Sequence, residues 1–187
     1  LSRNLKIVVE RLGKFGMTIN PDKVKIHMDN VEYVGHIIDR YGIYFSNEKL
    51  HQVLEFRTPT VAHEMKSFLG LISQFRDHVQ NYADLTAPCH DMILGYTKNS
   101  KEPLKWNDEL NDNFIKLKAA VANCTKLYFI DDKLPIFLHT DASIIGIGSY
   151  LFQLKDDERI PIRFVNKLLN KTERNWNIVE KEMYAIF

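Results

Sequence analysis

Cysteine is nearly absent. Cys89 and Cys124 are the only two in 187 residues, far apart and without a CxxC partner, which points away from a disulfide framework and from a zinc site. They read as small buried hydrophobes of a reducing compartment. Long apolar runs are missing as well. None approaches the roughly 18 residues a membrane span needs, and no signal peptide opens the chain, so a membrane is not expected among its partners. An excess of charge of one sign is also lacking, with 25 Lys+Arg against 24 Asp+Glu and a formal net charge of +1. Any surface for nucleic acid must therefore be local. What remains, 45% hydrophobic and 26% charged, is ordinary for a globular protein of one large domain or two small ones. Leu1 rather than Met begins the sequence and Phe187 falls inside an apparent helix, so the expectation is an excerpt of a longer polypeptide.

The most informative stretch is 137–153, FLHTDASIIGIGSYLFQ. Ile136, Leu138 and Thr140 alternate with Phe137, His139 and Asp141, the period of a strand that ends on an acid. Ala142-Ser143 form a small-residue turn. Gly146 and Gly148 would then face one side of a second strand. A carboxylate at a strand end beside small residues leaves room for a metal ion and a phosphate near the backbone. The bland reading, an edge hairpin whose Asp only begins a turn, has about equal weight on this pattern alone.

Around it the chain reads in order. Ser2 caps a helix with the stripe Leu5, Val8, Val9, Leu12 and Phe15, stopped by Gly16. Asn20-Pro21-Asp22-Lys23 is a turn, Val24 and Ile26 a short strand, and Val31 to Val34 another. Gly35 bends the chain toward a hairpin through Ile37-Ile38 and Ile43-Tyr44-Phe45, with a Gly at a tight approach; a plain edge hairpin is the lesser alternative, at about a third of the weight. From Ser46 helices take over. Ser46 or Asn47 caps one, ended by Thr58-Pro59. Thr60 caps the next, with the stripe Met65, Phe68, Leu69, Ile72 and Phe75. A third carries Tyr82, Leu85, Cys89, Met92 and Ile93, with Pro88 expected to divide it in two. A polar loop, 95–103, precedes a helix capped by Asn107, whose core face is Leu110, Phe114, Leu117 and Val121. These stripes are core packing and carry no chemistry. After the pivotal hairpin come a charged turn at 155–158, a third strand with Ile160, Ile162 and Phe164, and a last helix. Asn177 and Glu180 have the spacing of a capping box there, which leaves Glu182 to meet Asp141 as carboxylates sharing a divalent metal would.

Taken together, these segments resemble the reverse transcriptase–RNase H region of gypsy-type long-terminal-repeat retrotransposons over essentially the whole length. The N-P-x-K turn (Asn20, Pro21, Lys23) is followed by Tyr33-Val34-Gly35-His36 in place of Y-L-G-H. Pro59-Thr60 and Ser67-Phe68-Leu69-Gly70-Leu71 come next. Trp106, then Phe114, Leu117 and Lys118, the T-D-A-S-x-x-G-I-G run and the E-x-E-x-x-A-I run follow in order. Each motif is weak; the ordered series is specific. Two positions depart from the family: Gln74-Phe75-Arg76 stands where Y-Y-R is usual, and Ser149-Tyr150 follows G-I-G where a small residue is common.

The resemblance implies an α+β fold: the end of a reverse-transcriptase palm with its primer-grip hairpin (1–45), a helical thumb and connecting segment (46–130), and the first half of an RNase H-like α/β domain (131–187). It implies a parent polyprotein with RNA-directed DNA polymerase and RNase H activity, working with Mg²⁺ or Mn²⁺ in the cytoplasm, inside a virus-like particle, or in the nucleus. Its partners would be the RNA–DNA hybrid, the primer–template duplex and the other domains of the same polyprotein. Tyr33, Val34, Gly35 and His36 would form the primer grip. Asp141 and Glu182 would be metal-binding acids, and Lys23, Lys25, Lys66 and Arg76 are candidates for phosphate contacts. The polymerase aspartates and the remaining RNase H acids are expected outside this chain, so the fragment alone is expected to be inactive. Two other readings compete. One is a non-catalytic retroelement remnant that binds nucleic acid or protein. The other is an actin-like phosphate hairpin, which would need a further Gly-rich loop and leaves the Y-V-G-H and F-L-G-L segments unexplained.

Overall fold

The computed structural model describes residues 2–97 and 100–186. The readings on Leu1 and Phe187, and on the middle of the 95–103 loop, lie outside those residues. The architecture is mixed: two antiparallel sheets with a helical layer between them in sequence. Helix α1 (Ser2–Lys14) ends where Gly16 turns left-handed at φ 70°. A 3-10 turn, Pro21–Lys23, follows, with the Asn20 side chain accepting from the Asp22 amide. The short strand expected at Val24 and Ile26 does not form. Both side chains are exposed, and no strand among the described residues pairs with them, so nothing satisfies their backbone groups in a ladder.

Strands β1 (Asn30–Tyr33), β2 (His36–Asp39) and β3 (Gly42–Phe45) make a meander. A fourth strand, β4 (Leu127–Tyr128), returns from the far side of the helices to pair with β3. The sequence reading did not include it. It is only two residues long, too short for any alternation to show.

Helix α2 (Asn47–Leu54) begins after Ser46, which holds the cap position without a side-chain bond. Helix α3 (Ala62–Ile72) starts one residue later than expected, with Val61 and not Thr60 at the cap. The cause is Glu64: its carboxylate accepts from both the Thr60 amide (2.8 Å) and the Thr60 hydroxyl (2.9 Å), so Thr60 binds the first turn from outside it. Helix α4 (Tyr82–Met92) runs straight through Pro88. The expected division fails because burial outweighs the lost bond. Ala83, Thr86, Ala87 and Cys89 are all buried, and the Thr86 hydroxyl donates to the Tyr82 carbonyl at 2.8 Å. Helix α5 (Asp108–Ala122) is capped by Asn107, whose side chain accepts from the Leu110 amide at 2.8 Å.

The core is the expected stripes packed on one another. Met65, Phe68, Ile72 and Phe75 of one stripe meet Val53, Phe114, Leu117 and Val121. Phe68 and Phe114 lie 4.7 Å apart between ring centres, and Phe75 reaches Phe45 of β3 at 4.1 Å. That contact ties the first sheet to the helices.

The second sheet is β5 (Ile136–Ala142), β6 (Gly146–Lys155) and β7 (Glu158–Leu168), consecutive and antiparallel. Asp156 and Asp157 turn β6 into β7 with φ of 53° and 64°. Helix α6 (Ile178–Ile186) packs on β5 and β6. The Asn177–Glu180 capping box is made in both directions, each bond 2.9 Å.

Candidate functional site

The β1–β2 connection is a two-residue turn, because Tyr33 pairs with His36. Val34 and Gly35 both have positive φ, 51° and 77°, the geometry that suits the twist of a tight hairpin. Asn-Gly fills such a turn without strain, whereas a β-branched Val in this region is an outlier. A Cβ at Gly35 would also lie 2.5 Å from Cε of Lys49, so that flexible side chain would have to move. The tip is bare. Tyr33 and Val34 are 68% and 70% exposed, while His36 stacks on Phe45 at 4.4 Å. The strain and the exposure thus coincide at the tip of the hairpin. Val34→Asn should raise stability by about 1 kcal/mol by removing that strain; an unchanged or lower melting temperature would show that the turn stores none.

Of the four basic candidates, the structure brings two together. Lys66 and Arg76 line one cleft of about 540 Å³, with His90 and Lys167 also at its walls. Lys23 and Lys25 stand apart, exposed, on the segment between α1 and β1. Arg76 is already engaged: its guanidinium donates to the Asn166 carbonyl and its Nε lies 3.7 Å from Asp77. Lys66 remains exposed on α3.

Asp141 is the penultimate residue of β5 and pairs with Gly148. A cleft of about 590 Å³ opens there, with His139, Tyr150, Arg159, Gln80 and Asn81 among its walls. Strand alternation puts Asp141 on the face shared with His139 and Tyr150. The other face belongs to α6, since the Ser149 hydroxyl donates to the Ala185 carbonyl at 2.9 Å. Glu182 is half-buried on α6. Its neighbour Lys181 reaches the Ile144 carbonyl in the β5–β6 turn. Asp141 therefore projects from the face of β5 away from α6, and no hydrogen bond joins it to Glu182 among the described residues. Alternation is the physical reason: Thr140, not Asp141, shares the α6 side with Ser149.

Glu180 is committed to its cap. Asp141 and Glu182 make no hydrogen bond or ion pair among the described residues, and oxygen donors of this kind suit a hard divalent cation. No three His, Cys, Asp or Glu side chains gather around a common point among the described residues. The described residues therefore do not by themselves assemble a cation site.

Residues 106–187 match the family model described as the RNase H-like domain found in reverse transcriptase. That region belongs to the reverse-transcriptase RNase H-like family. The match begins at Trp106, so α5 and β4 fall within it along with the second sheet. Beyond this RNase H-like region, the whole chain aligns with retrotransposon Pol proteins. The retrovirus-related Pol polyprotein from transposon opus of Drosophila melanogaster is 33% identical over 190 residues, covering 98% of this chain and 19% of the relative. That of transposon gypsy, from the same organism, is 29% identical over 98% of the chain and 18% of its own length. The Tf2-3 polyprotein of Schizosaccharomyces pombe is 25% identical over 98% of the chain and 14% of its own length. The chain thus spans about a fifth or less of these relatives. The fold is that of the foamy viral protease–reverse transcriptase. One structure of that protein, bound to double-stranded DNA, has a TM-score of 0.75 at 21% identity and covers 99% of this chain and 32% of that one. Another, bound to an RNA/DNA hybrid, scores 0.73 at 19% identity, covering all of this chain and 25% of that one.

The sequence reading missed Asn166, Arg159 and Tyr150 as walls of the Asp141 cleft. Only the β5-β6-β7 register brings them beside it, and that register is set by turns well away from the acid.

Proposed function

We propose that this chain is the stretch of a retrotransposon Pol protein that holds a primer–template duplex and supplies two carboxylates for hydrolysis of the RNA strand of a hybrid. The observation that carries the reading is the fold. It superposes over the full chain on a protease–reverse transcriptase bound to an RNA/DNA hybrid. The exposed tip at Tyr33 and Val34 presses on the primer end. It is held from below by Gly35 over Lys49 and by the His36–Phe45 stack. Lys66, with the cleft it lines, contacts phosphates, which steadies the duplex without reading its sequence.

Asp141 and Glu182 hold Mg²⁺ or Mn²⁺ together with acids from other parts of the Pol protein. When bound, a pair of such ions activates water and steadies the departing oxygen. The exposed Asp141 cleft admits the RNA backbone, and the Gly148 position opposite the acid keeps bulk away from it.

The test is made on the parent Pol protein. Wild type should extend a primer and cleave a hybrid. Lys66→Gln should weaken binding to any duplex sequence alike and lower the slope of log affinity against log salt by about 1. A wild-type protein with neither activity would overturn the reading, and unchanged affinity and slope in the variant would remove Lys66 from it.

A further inference from the structure

We infer that Asn166 is a positioning residue that locks the RNase H-like sheet to the helical layer and so fixes where the RNA strand is cut relative to the primer end. The inference rests on the functional reading above and adds to it. Asn166 lies on β7, 5% exposed. Its amide donates at 3.2 Å to the carbonyls of both Arg76 and Val79, where the 3-10 segment Ser73–His78 leaves α3. The Arg76 guanidinium returns a bond to the Asn166 carbonyl. Two side chains from different layers therefore each bond the other's backbone.

The attachment is not a single pin. Arg163, three residues earlier on β7, pairs with Asp77 at 2.8 Å. At the other end of the joint the Ser143 hydroxyl donates to Asp84 of α4, also at 2.8 Å. Gly146 presses on the same helix, where a Cβ would lie 3.1 Å from that of Ala83. Attachments on the β5–β6 turn, on β6 and at two points of β7 resist both sliding and rotation.

Register turns this joint into a device for the acid. Asp141 pairs with Gly148, and Gly148 pairs with Asn166. The three residues form one rung across the sheet with their side chains on one face, so Asn166 sits roughly 10 Å from Asp141, two strand spacings away. A shift of Asn166 against the helices moves Asp141 with it, because the ladder bonds of β6 carry the displacement. The helices also hold Lys66, so the joint sets the distance from the gripped duplex to the acid. Arg76, a phosphate candidate by sequence, belongs to this joint.

The experiment follows cut positions on a hybrid with a fixed primer end, using the parent Pol protein. Wild type should give one dominant cut. Asn166→Asp keeps the shape of the side chain and removes both donors. It should replace that cut by a ladder of cuts while primer extension persists. A simple loss of stability would lower all products together and leave their distribution unchanged; that result overturns the inference. Ala83→Cys with Gly146→Cys, placed in the Asn166→Asp background, closes the joint covalently once α4 and β6 part by about half an ångström. The single cut should return on oxidation and be lost on reduction; a ladder in both states overturns the inference. If Asn166→Asp fails to fold, Ser143→Ala serves instead, with the same ladder expected and an unchanged pattern refuting it. A wild-type protein that cuts no hybrid defeats the functional reading itself. One that cuts cleanly with every variant defeats only the joint.

Discussion

Asp141→Asn in the parent Pol protein should reduce hybrid-RNA cleavage to background and leave DNA synthesis near the wild-type level. The substitution keeps the volume and removes the charge. Asp141 makes no hydrogen bond or ion pair among the described residues, so the fold loses no contact and the effect falls on chemistry alone. On its proposed role as a cation ligand, loss of Asp141 should exceed the roughly 10–100-fold that removing an outer partner costs. On the proposed role of the two acids, Glu182→Gln should act the same way.

Glu180 provides the internal control, two residues away on the same helix. Its carboxylate accepts from the Asn177 amide while its own amide donates to Asn177. Glu180→Gln should therefore cost at most about 0.5–2 kcal/mol of helix capping and leave cleavage measurable. Cleavage assays and melting curves on the three variants decide the matter. A Glu180→Gln protein as inactive as Asp141→Asn, or an Asp141→Asn protein that still cuts, would refute the assignment of the acids.

The parts of this fold legible in the sequence are those that local chemistry decides. The Asn177–Glu180 box, the Asn107 cap and the Met65–Phe68–Leu69–Ile72 stripe each depend on residues within one or two turns and form as read, whereas Phe75 falls in the 3-10 segment that follows. Pro88 misled because a local rule was outweighed by burial of its neighbours on α4. Thr60 misled because Glu64, four residues on, draws it outward. The face of Asp141 was half legible: alternation along β5 is in the sequence, but which face α6 covers is decided by the Ser149–Ala185 bond, a contact 36 residues apart. Asn166 was invisible for the same reason. Its partners at Arg76 and Val79 lie 90 and 87 residues away, and a single asparagine in a strand of mixed composition carries no signal of that.

Gly42→Ala should be the most damaging of the small substitutions in the first sheet. Gly42 pairs with Tyr128 of β4, and a Cβ there would fall 1.9 Å from the Leu127 carbonyl oxygen and 2.9 Å from Cα of Tyr128. Both obstacles are backbone, so no rotamer change relieves them. Either β4 leaves β3 or the sheet shifts. Leaving is costly, because β4 is fastened at several points. The Phe129 amide donates to the Tyr41 carbonyl at 2.8 Å. Lys126 pairs with Asp39 and lies over the Tyr44 ring, 4.8 Å from its centre. The Lys126 ammonium, with the Tyr41 and Gly42 amides, holds the Asp39 carboxyl below its ordinary pKa. The loss should reach the upper part of the roughly 1–3 kcal/mol that overpacking costs, a fall of about 5–10 °C in melting temperature for a chain of this size. Gly13→Ala is the matching control. It sits in α1 with nothing within 4 Å of an added Cβ, so the same methyl should stabilise by about 0.5–1 kcal/mol through helix propensity. Opposite shifts from one chemical change would locate the effect in the β3–β4 contact; equal melting temperatures for Gly42→Ala and wild type would mean that β4 does not dock there.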